Sequence, residues 1–201
     1  MKGLSFAFLV LAGVSLVAPR AFSQNQPPYQ EKDHLELGVY GEFYRFDQAN
    51  IDLAGAGARL SVNVKPLIQL EAEMTYDFSQ VFTEKFTSGG GITFANTGTR
   101  RIDGLFGPKF ETNRGPVRLF FTTKGGATTF GFDPRPVTFG TFFSSVDNLR
   151  ARDAIAEFYP GAGLEGFIGP VGLRLDVGDE MYFANNVYHN LRVTFGPTIR
   201  F

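Results

Sequence analysis

Cysteine and tryptophan are absent from all 201 residues, and histidine occurs only at His34 and His189. Without Cys there is neither a disulfide framework nor a lipid-modified cysteine to anchor the chain. The charges nearly cancel, at 19 Lys and Arg against 20 Asp and Glu. That balance, with no basic stripe anywhere, excludes nucleic acid as a partner. Beyond the first 23 residues, no apolar run approaches the roughly 20 residues that a membrane-crossing helix needs. Two residue types are plentiful instead, 23 Phe and 24 Gly. With a mean hydropathy of only −0.05, that composition suits strands that are apolar on one face alone.

The two ends of the chain carry the strongest signals. Lys2, the apolar run Leu4–Ala18 and Ala21-Phe22-Ser23 have the layout of a secretory signal peptide, with cleavage expected after Ser23. Its loss would remove Lys2 and Arg20, leaving 17 basic against 20 acidic residues. Residues 24–33 are polar, contain Pro27-Pro28 and read as an extended leader. At the other end, apolar residues fall at 191, 193, 195, 197, 199 and 201, with Arg192, Thr194, Gly196, Thr198 and Arg200 between them. Strict alternation up to a terminal Phe predicts one strand with a greasy face and a wet face.

The same period recurs along residues 34–201. Strands are expected near Leu35–Tyr44, Leu53–Val64, Ile68–Phe78, Ile102–Glu111, Val117–Thr128, Ile155–Phe167, Val171–Val177 and Leu191–Phe201. The connections alternate in length. Lys65–Leu67, Asn113–Pro116 and Ile168–Pro170 are short, whereas Ser79–Arg101 and Thr129–Ala154 are long and Met181–His189 is intermediate. Short turns on one side and long loops on the other are the habit of transmembrane barrels. Pro108, Pro160 and Pro197 fall inside strands, each beside a Gly, and bulges at those glycines are the expected remedy.

Parity then sorts the side chains. One face of the strands collects Glu36, Glu42, Glu71, Glu73, Asp77, Glu111, Glu157, Glu165 and Asp176. It also collects Arg59, Lys109, Arg118, Lys124, Arg174, Arg192 and Arg200. Turned toward hydrocarbon, a central Arg or Lys costs about 2–4 kcal/mol. Turned inward, opposite charges pair across a lumen that, with eight strands, side chains just fill. The fold expected is all-β, a monomeric eight-stranded antiparallel up-and-down transmembrane β-barrel with a salt-bridged interior.

The signal segment, Asp103-Gly104-Leu105-Phe106-Gly107-Pro108-Lys109-Phe110 and Asn190 through Phe201 together resemble the small outer-membrane β-barrels of the OmpX and OmpA transmembrane-domain type. The resemblance implies a place in the outer membrane, contact with its lipid and lipopolysaccharide, and insertion by the barrel-assembly machinery. For that machinery Val193, Phe195, Ile199 and Phe201 would form the C-terminal signal. It implies a structural or surface-interaction role, with an extracellular ligand at loops 79–101 and 129–154. A lipid A-modifying enzyme and a narrow solute channel are the alternatives.

Residue patterns for catalysis or cofactors are thin, and neither a cofactor nor a metal is expected. Lipid A deacylases of this size use a His-x-Ser arrangement late in the chain, but His189 is followed by Asn190 and Leu191. Ser144, Ser145, Asp147 and His189 are only loosely grouped, unlike the rim cluster of palmitoyltransferase barrels. Glu71 and Glu73 share a face, as paired acid–base carboxylates would, yet ion pairing with interior Arg explains them more simply. Gly89-Gly90-Gly91 lacks the Lys-Ser/Thr of a phosphate loop. Asp147, Asp153, Asp179 and Glu180 are read as outer-loop acids whose spacing fits no calcium loop. Phe130, Phe132, Phe139, Phe142 and Phe143 make the second long loop aromatic, for contact or for self-packing.

Overall fold

The computed structural model describes residues 34–48, 50–88, 91–133 and 154–201, with backbone alone at 82–88, 91–97 and 133. Eight strands follow in chain order: β1 (Leu35–Phe46), β2 (Ile51–Lys65), β3 (Ile68–Ser88), β4 (Gly91–Glu111), β5 (Val117–Asp133), β6 (Ile155–Ile168), β7 (Val171–Ala184) and β8 (Asn186–Arg200). Each pairs antiparallel with the next, and β8 returns to β1 to close a barrel. Closure removes the edges of the barrel proper, where the ladder accounts for most backbone groups that an open sheet would leave bare. The seam reaches the last residue, where Phe201 N donates to Leu35 O at 2.8 Å.

Following partners around the barrel from Leu37 through Leu60, Ala72, Phe106, Gly125, Phe158, Met181 and His189 leads back to β1 at the level of Asp47. The register thus climbs ten positions in one circuit. A stagger of that kind tilts the strands and fixes the width of the interior.

Alternation is read out directly as burial. β1 runs as a strict succession of inward and outward residues, with Glu36, Gly38, Tyr40, Glu42 and Tyr44 inside. Outward residues are the apolar ones: Phe106 is 59% exposed, Met74 63% and Phe195 56%. The polarity is the reverse of a water-soluble domain, where such side chains would form the core.

The connections differ from those expected. At the rim that carries Leu35 and Arg200 they are short, as the sequence indicates. Gly169 takes φ 64° in the β6–β7 turn, a conformation natural to Gly. At the far rim, length lies in the strands. The expected loop 79–101 is mostly a long β3–β4 hairpin, paired from Gln80↔Thr99 to Ser88↔Gly91. Residues 78–79 interrupt the register as a bulge, and bulges are frequent at barrel rims. Residues 129–133 of the second loop belong to β5, and 134–153 lie outside the described residues. The expected loop 181–189 is a tight turn in which Asn185 alone stands between β7 and β8 at φ 67°. Asn tolerates that left-handed region better than most residues.

The prolines also differ from expectation. No register shift accompanies them. Pro108, Pro160 and Pro197 each keep a partner on one neighbouring strand, with Leu70, Thr123 and Leu173 respectively. On the other side the ladder skips two positions and resumes in register, so a short gap takes the place of a bulge. Before two of them a glycine lets the next strand come close: a Cβ on Gly107 would lie 2.1 Å from Thr123 O, and one on Gly196 2.0 Å from Val39 O. The segments expected as signal peptide, 1–23, and leader, 24–33, lie outside the described residues.

Candidate functional site

The inward parity of eight tilted strands stacks the buried charges in layers. Nearest the terminal rim, Lys109 Nζ sits 2.6 Å from Glu165, 3.3 Å from Glu111 and 3.9 Å from Glu36. Among the described residues, these three carboxylates are the one group close enough to hold a metal ion, within 4.8 Å of one another. The Lys109 ammonium already supplies the positive charge there. Arg118 reaches Glu111 at 3.1 Å and lies over the Phe167 ring at 4.7 Å.

In the middle layer, Arg174 holds Glu71 through both terminal nitrogens, at 2.5 and 2.9 Å, and Asp176 at 2.8 Å. Lys124 bridges Glu71 and Glu73 at 2.6 and 2.8 Å. Arg59 approaches Glu73 at 3.5 Å and stacks 4.3 Å over Tyr40. Glu71 and Glu73 are therefore saturated by cations, which supports the structural reading of that pair.

The layer toward the far rim centres on Arg101. Its guanidinium meets four carboxylates: Glu42 at 2.6 Å, Asp77 at 2.7 Å, Asp103 at 2.7 Å, and Glu180. Arg192 joins it from β8, donating to Glu42 at 2.5 Å and approaching Glu73 at 3.4 Å. Above this layer, Tyr44, Phe46, Leu53, Phe130, Ile155, Tyr182 and Ala184 pack as an apolar cap. The Phe46 and Phe130 rings stack at 5.1 Å, and Arg101 lies 3.7 Å over Tyr44. The contact ties cap to charge.

Every expected interior residue but one is buried: Glu36, Glu42, Arg59, Glu71, Glu73, Asp77, Lys109, Glu111, Arg118, Arg174, Asp176 and Arg192 all point inward. Arg200 is the correction. It is half-buried at the terminal rim and donates to Gly169 O at 2.9 Å, clasping the β6–β7 turn. Glu180 is a second correction, since it is fully buried in the Arg101 cluster and does not lie with the loop acids. Arg101 and Asp103 belong to the network as well, and their parity with Lys109 and Glu111 on β4 was the available signal.

Val193, Phe195, Ile199 and Phe201 point outward on or just beyond β8. Phe130 is inside the cap, and Phe132 packs against it. Phe139, Phe142, Phe143, Ser144, Ser145, Asp147 and Asp153 lie outside the described residues. His34 is exposed at the terminal rim, and His189 faces outward near the far rim, with Nδ1 2.6 Å from Asp179. The two histidines share no site.

This architecture has counterparts among solved structures. Neisserial surface protein A matches over 84% of this chain and 96% of its own, at TM-score 0.52 and 8% identity. The fold is that of the small outer-membrane barrels. Two further outer-membrane-type barrels match more loosely. Ail of Yersinia pestis, solved with the heparin analogue sucrose octasulfate, has TM-score 0.49 and 16% identity over 84% of this chain and 97% of its own. The N-terminal β-barrel domain of Pseudomonas aeruginosa OprF has TM-score 0.48 and 10% identity over 86% and 100%. No protein-family model and no curated protein sequence matches the chain.

Proposed function

We propose that the chain is an integral outer-membrane protein with a structural or surface-interaction role and no catalytic one. The observation that carries the proposal is the inverted polarity of the barrel. Full burial of one Leu, Phe or Met side chain is worth about 1.5–3 kcal/mol. An outward band of such residues, interrupted by few charges, is therefore stable only against acyl chains. Segment 1–23 serves as export signal and 24–33 as leader. Val193, Phe195, Ile199 and Phe201 present the outward face of the closing strand to the barrel-assembly machinery.

The terminal rim faces the periplasm in this reading and the β3–β4 hairpin faces outward, toward lipopolysaccharide, with an extracellular ligand expected at segments 79–101 and 129–154. The barrel acts as a monomer and a plugged one. Three layers of ion pairs and the apolar cap fill the path that a solute channel would need. A lipid A-modifying activity finds little support at His189, whose ring bonds to Asp179 and to no serine among the described residues.

Fractionation of expressing cells tests the placement. The processed chain should remain in the outer-membrane pellet after carbonate or urea washing and shift in mobility on boiling before electrophoresis. Recovery as a soluble periplasmic protein without detergent sinks the proposal. Planar-bilayer recordings of the purified barrel should show no discrete conductance steps.

A further inference from the structure

The outer surface of the barrel is uneven along β5. The outward residues Thr123, Gly125, Ala127, Thr129 and Gly131 carry no side chain larger than Thr. Rings rise on both sides of them. Phe106 of β4 and Phe158 of β6 pair with Gly125 from opposite flanks and are 59% and 39% exposed. With strands about 4.8 Å apart, the two side chains start about 9.6 Å from each other with only Gly125 between. That gap admits one acyl chain. Toward the terminal rim the next outward residue on β5 is exposed Phe121, which closes the groove. From Gly131 to Thr123 the floor runs eight residues. That is about 26 Å along the strand and, at a tilt of about 45°, about 19 Å of depth, against about 15 Å for one hydrocarbon leaflet.

The open end of the groove carries a cation. Arg100 is exposed on the outward face of β4 and pairs with Gly131. Its side chain lies across that glycine, since a Cβ there would stand 2.7 Å from Arg100 Nε and 3.0 Å from its Cγ. The other outward charges of the far rim are matched: Arg45 meets Asp52 at 2.7 Å, and His189 meets Asp179 at 2.6 Å. Among the described residues no carboxylate reaches Arg100. Tyr76 and Phe78, packed edge-on at 6.1 Å on the neighbouring β3, mark the same level as the aromatic girdle of a membrane barrel.

We propose that this groove holds one molecule of lipopolysaccharide, with an acyl chain of its lipid A between Phe106 and Phe158 and a lipid A phosphate on Arg100. The inference rests on the outer-membrane reading, which sets the far rim in the outer leaflet. A guanidinium presents a planar fork of donors that matches a phosphate. A protein segment suits the groove poorly, because β5 is hydrogen-bonded to β4 and β6 along this stretch and leaves no ladder groups for a peptide backbone to join. Above the paired rings, Gly104, Ala127 and Ala156 are neighbours in one row, so the groove widens over three strands. A lipid with several tails fills that width.

Native mass spectrometry of the full chain refolded in mild detergent, with purified lipid A as the probe, counts the bound lipid. Wild type should carry about one lipid A per barrel. Arg100→Ala, or removal of the lipid A phosphates, should each weaken binding about tenfold or more, the worth of a charge-assisted hydrogen bond. Arg100→Ala should no longer distinguish the two lipids. Ala127→Phe, which sets a ring on the groove floor, should weaken both, whereas Ala58→Phe, the same change on the outward face of β2, should bind like wild type. Undiminished binding by Ala127→Phe, or a phosphate preference that survives Arg100→Ala, overturns the proposal. So does phosphatidylglycerol bound as tightly as lipid A, because the groove then takes any anionic lipid. Should Ala127→Phe fail to fold, Arg100→Ala and the phosphate-free lipid decide the matter alone. A barrel that stays in the outer-membrane pellet yet fails these tests loses this site only, whereas one recovered as a soluble periplasmic protein loses the placement as well.

Discussion

Arg192 Nε donates to Glu42 Oε2 at 2.5 Å across the β8–β1 seam, joining residues 150 positions apart at the closing step of the barrel. Both side chains are fully buried. Breaking such a buried pair costs about 3–5 kcal/mol; Glu42 would keep Arg101, but the layer would hold its acids with one base fewer. Arg192→Leu should therefore lower the urea midpoint of the folded barrel sharply, and Glu42→Leu/Arg192→Leu should recover part of the loss. A double variant worse than the sum of the singles would mean that the seam depends on something other than this pair.

The layered arrangement ranks the arginines. Arg101 contacts four carboxylates, Arg174 contacts three, and Arg59 reaches one carboxylate, Glu73, at the longer distance of 3.5 Å. Replacement by Leu should then cost most at Arg101, less at Arg174 and least at Arg59, read as the temperature at which the folded band converts on electrophoresis. Each exceeds the about 1 kcal/mol of an exposed pair. Equal losses at all three would contradict an interior held by specific pairs.

That ranking shows what the sequence could and could not convey. Period-two alternation placed Glu71, Arg174 and Arg192 inside, because a strand has only two faces and charge excludes one of them. Arg101 and Glu180 escaped because they sit where strands outrun the expected boundaries. The bulge at 78–79 breaks the parity of β3 and makes the ensuing hairpin resemble a loop. Asn185, unaided by Gly or Pro, makes a turn that composition hardly advertises. Three-dimensional pairing was also hidden: Arg101 meets Glu180 across 79 residues, a proximity set by the register of β5–β7 and not by local pattern.

The glycines beside the ladder gaps make a sharper prediction than the charges. At Gly196, a Cβ would meet Val39 O at 2.0 Å and Tyr40 Cα at 2.6 Å, both backbone atoms that cannot swing aside. At Gly166 nothing lies within 4 Å of the added carbon. Gly196→Ala should destabilise the barrel by about 1–3 kcal/mol or block its closure, as overpacking does. Gly166→Ala should fold and melt like wild type. Matching behaviour of the two in a heat-shift assay would show that the β1–β8 approach is looser than the register indicates.

The apolar cap separates stability from sealing. Phe130 stacks on Phe46 and meets Tyr182 edge-on at 5.5 Å, so Phe130→Ala removes the ring that joins two others. A buried Phe replaced by Ala costs about 3–5 kcal/mol, partly through the cavity it leaves. Conductance should nevertheless stay absent, because the Arg101 layer lies directly beneath and every one of its charged groups is already committed to a neighbour or, at Glu157, enclosed. The variant should thus melt early yet remain silent in planar bilayers. Current steps from Phe130→Ala alone would assign the seal to the rings and leave the ion pairs a purely structural part.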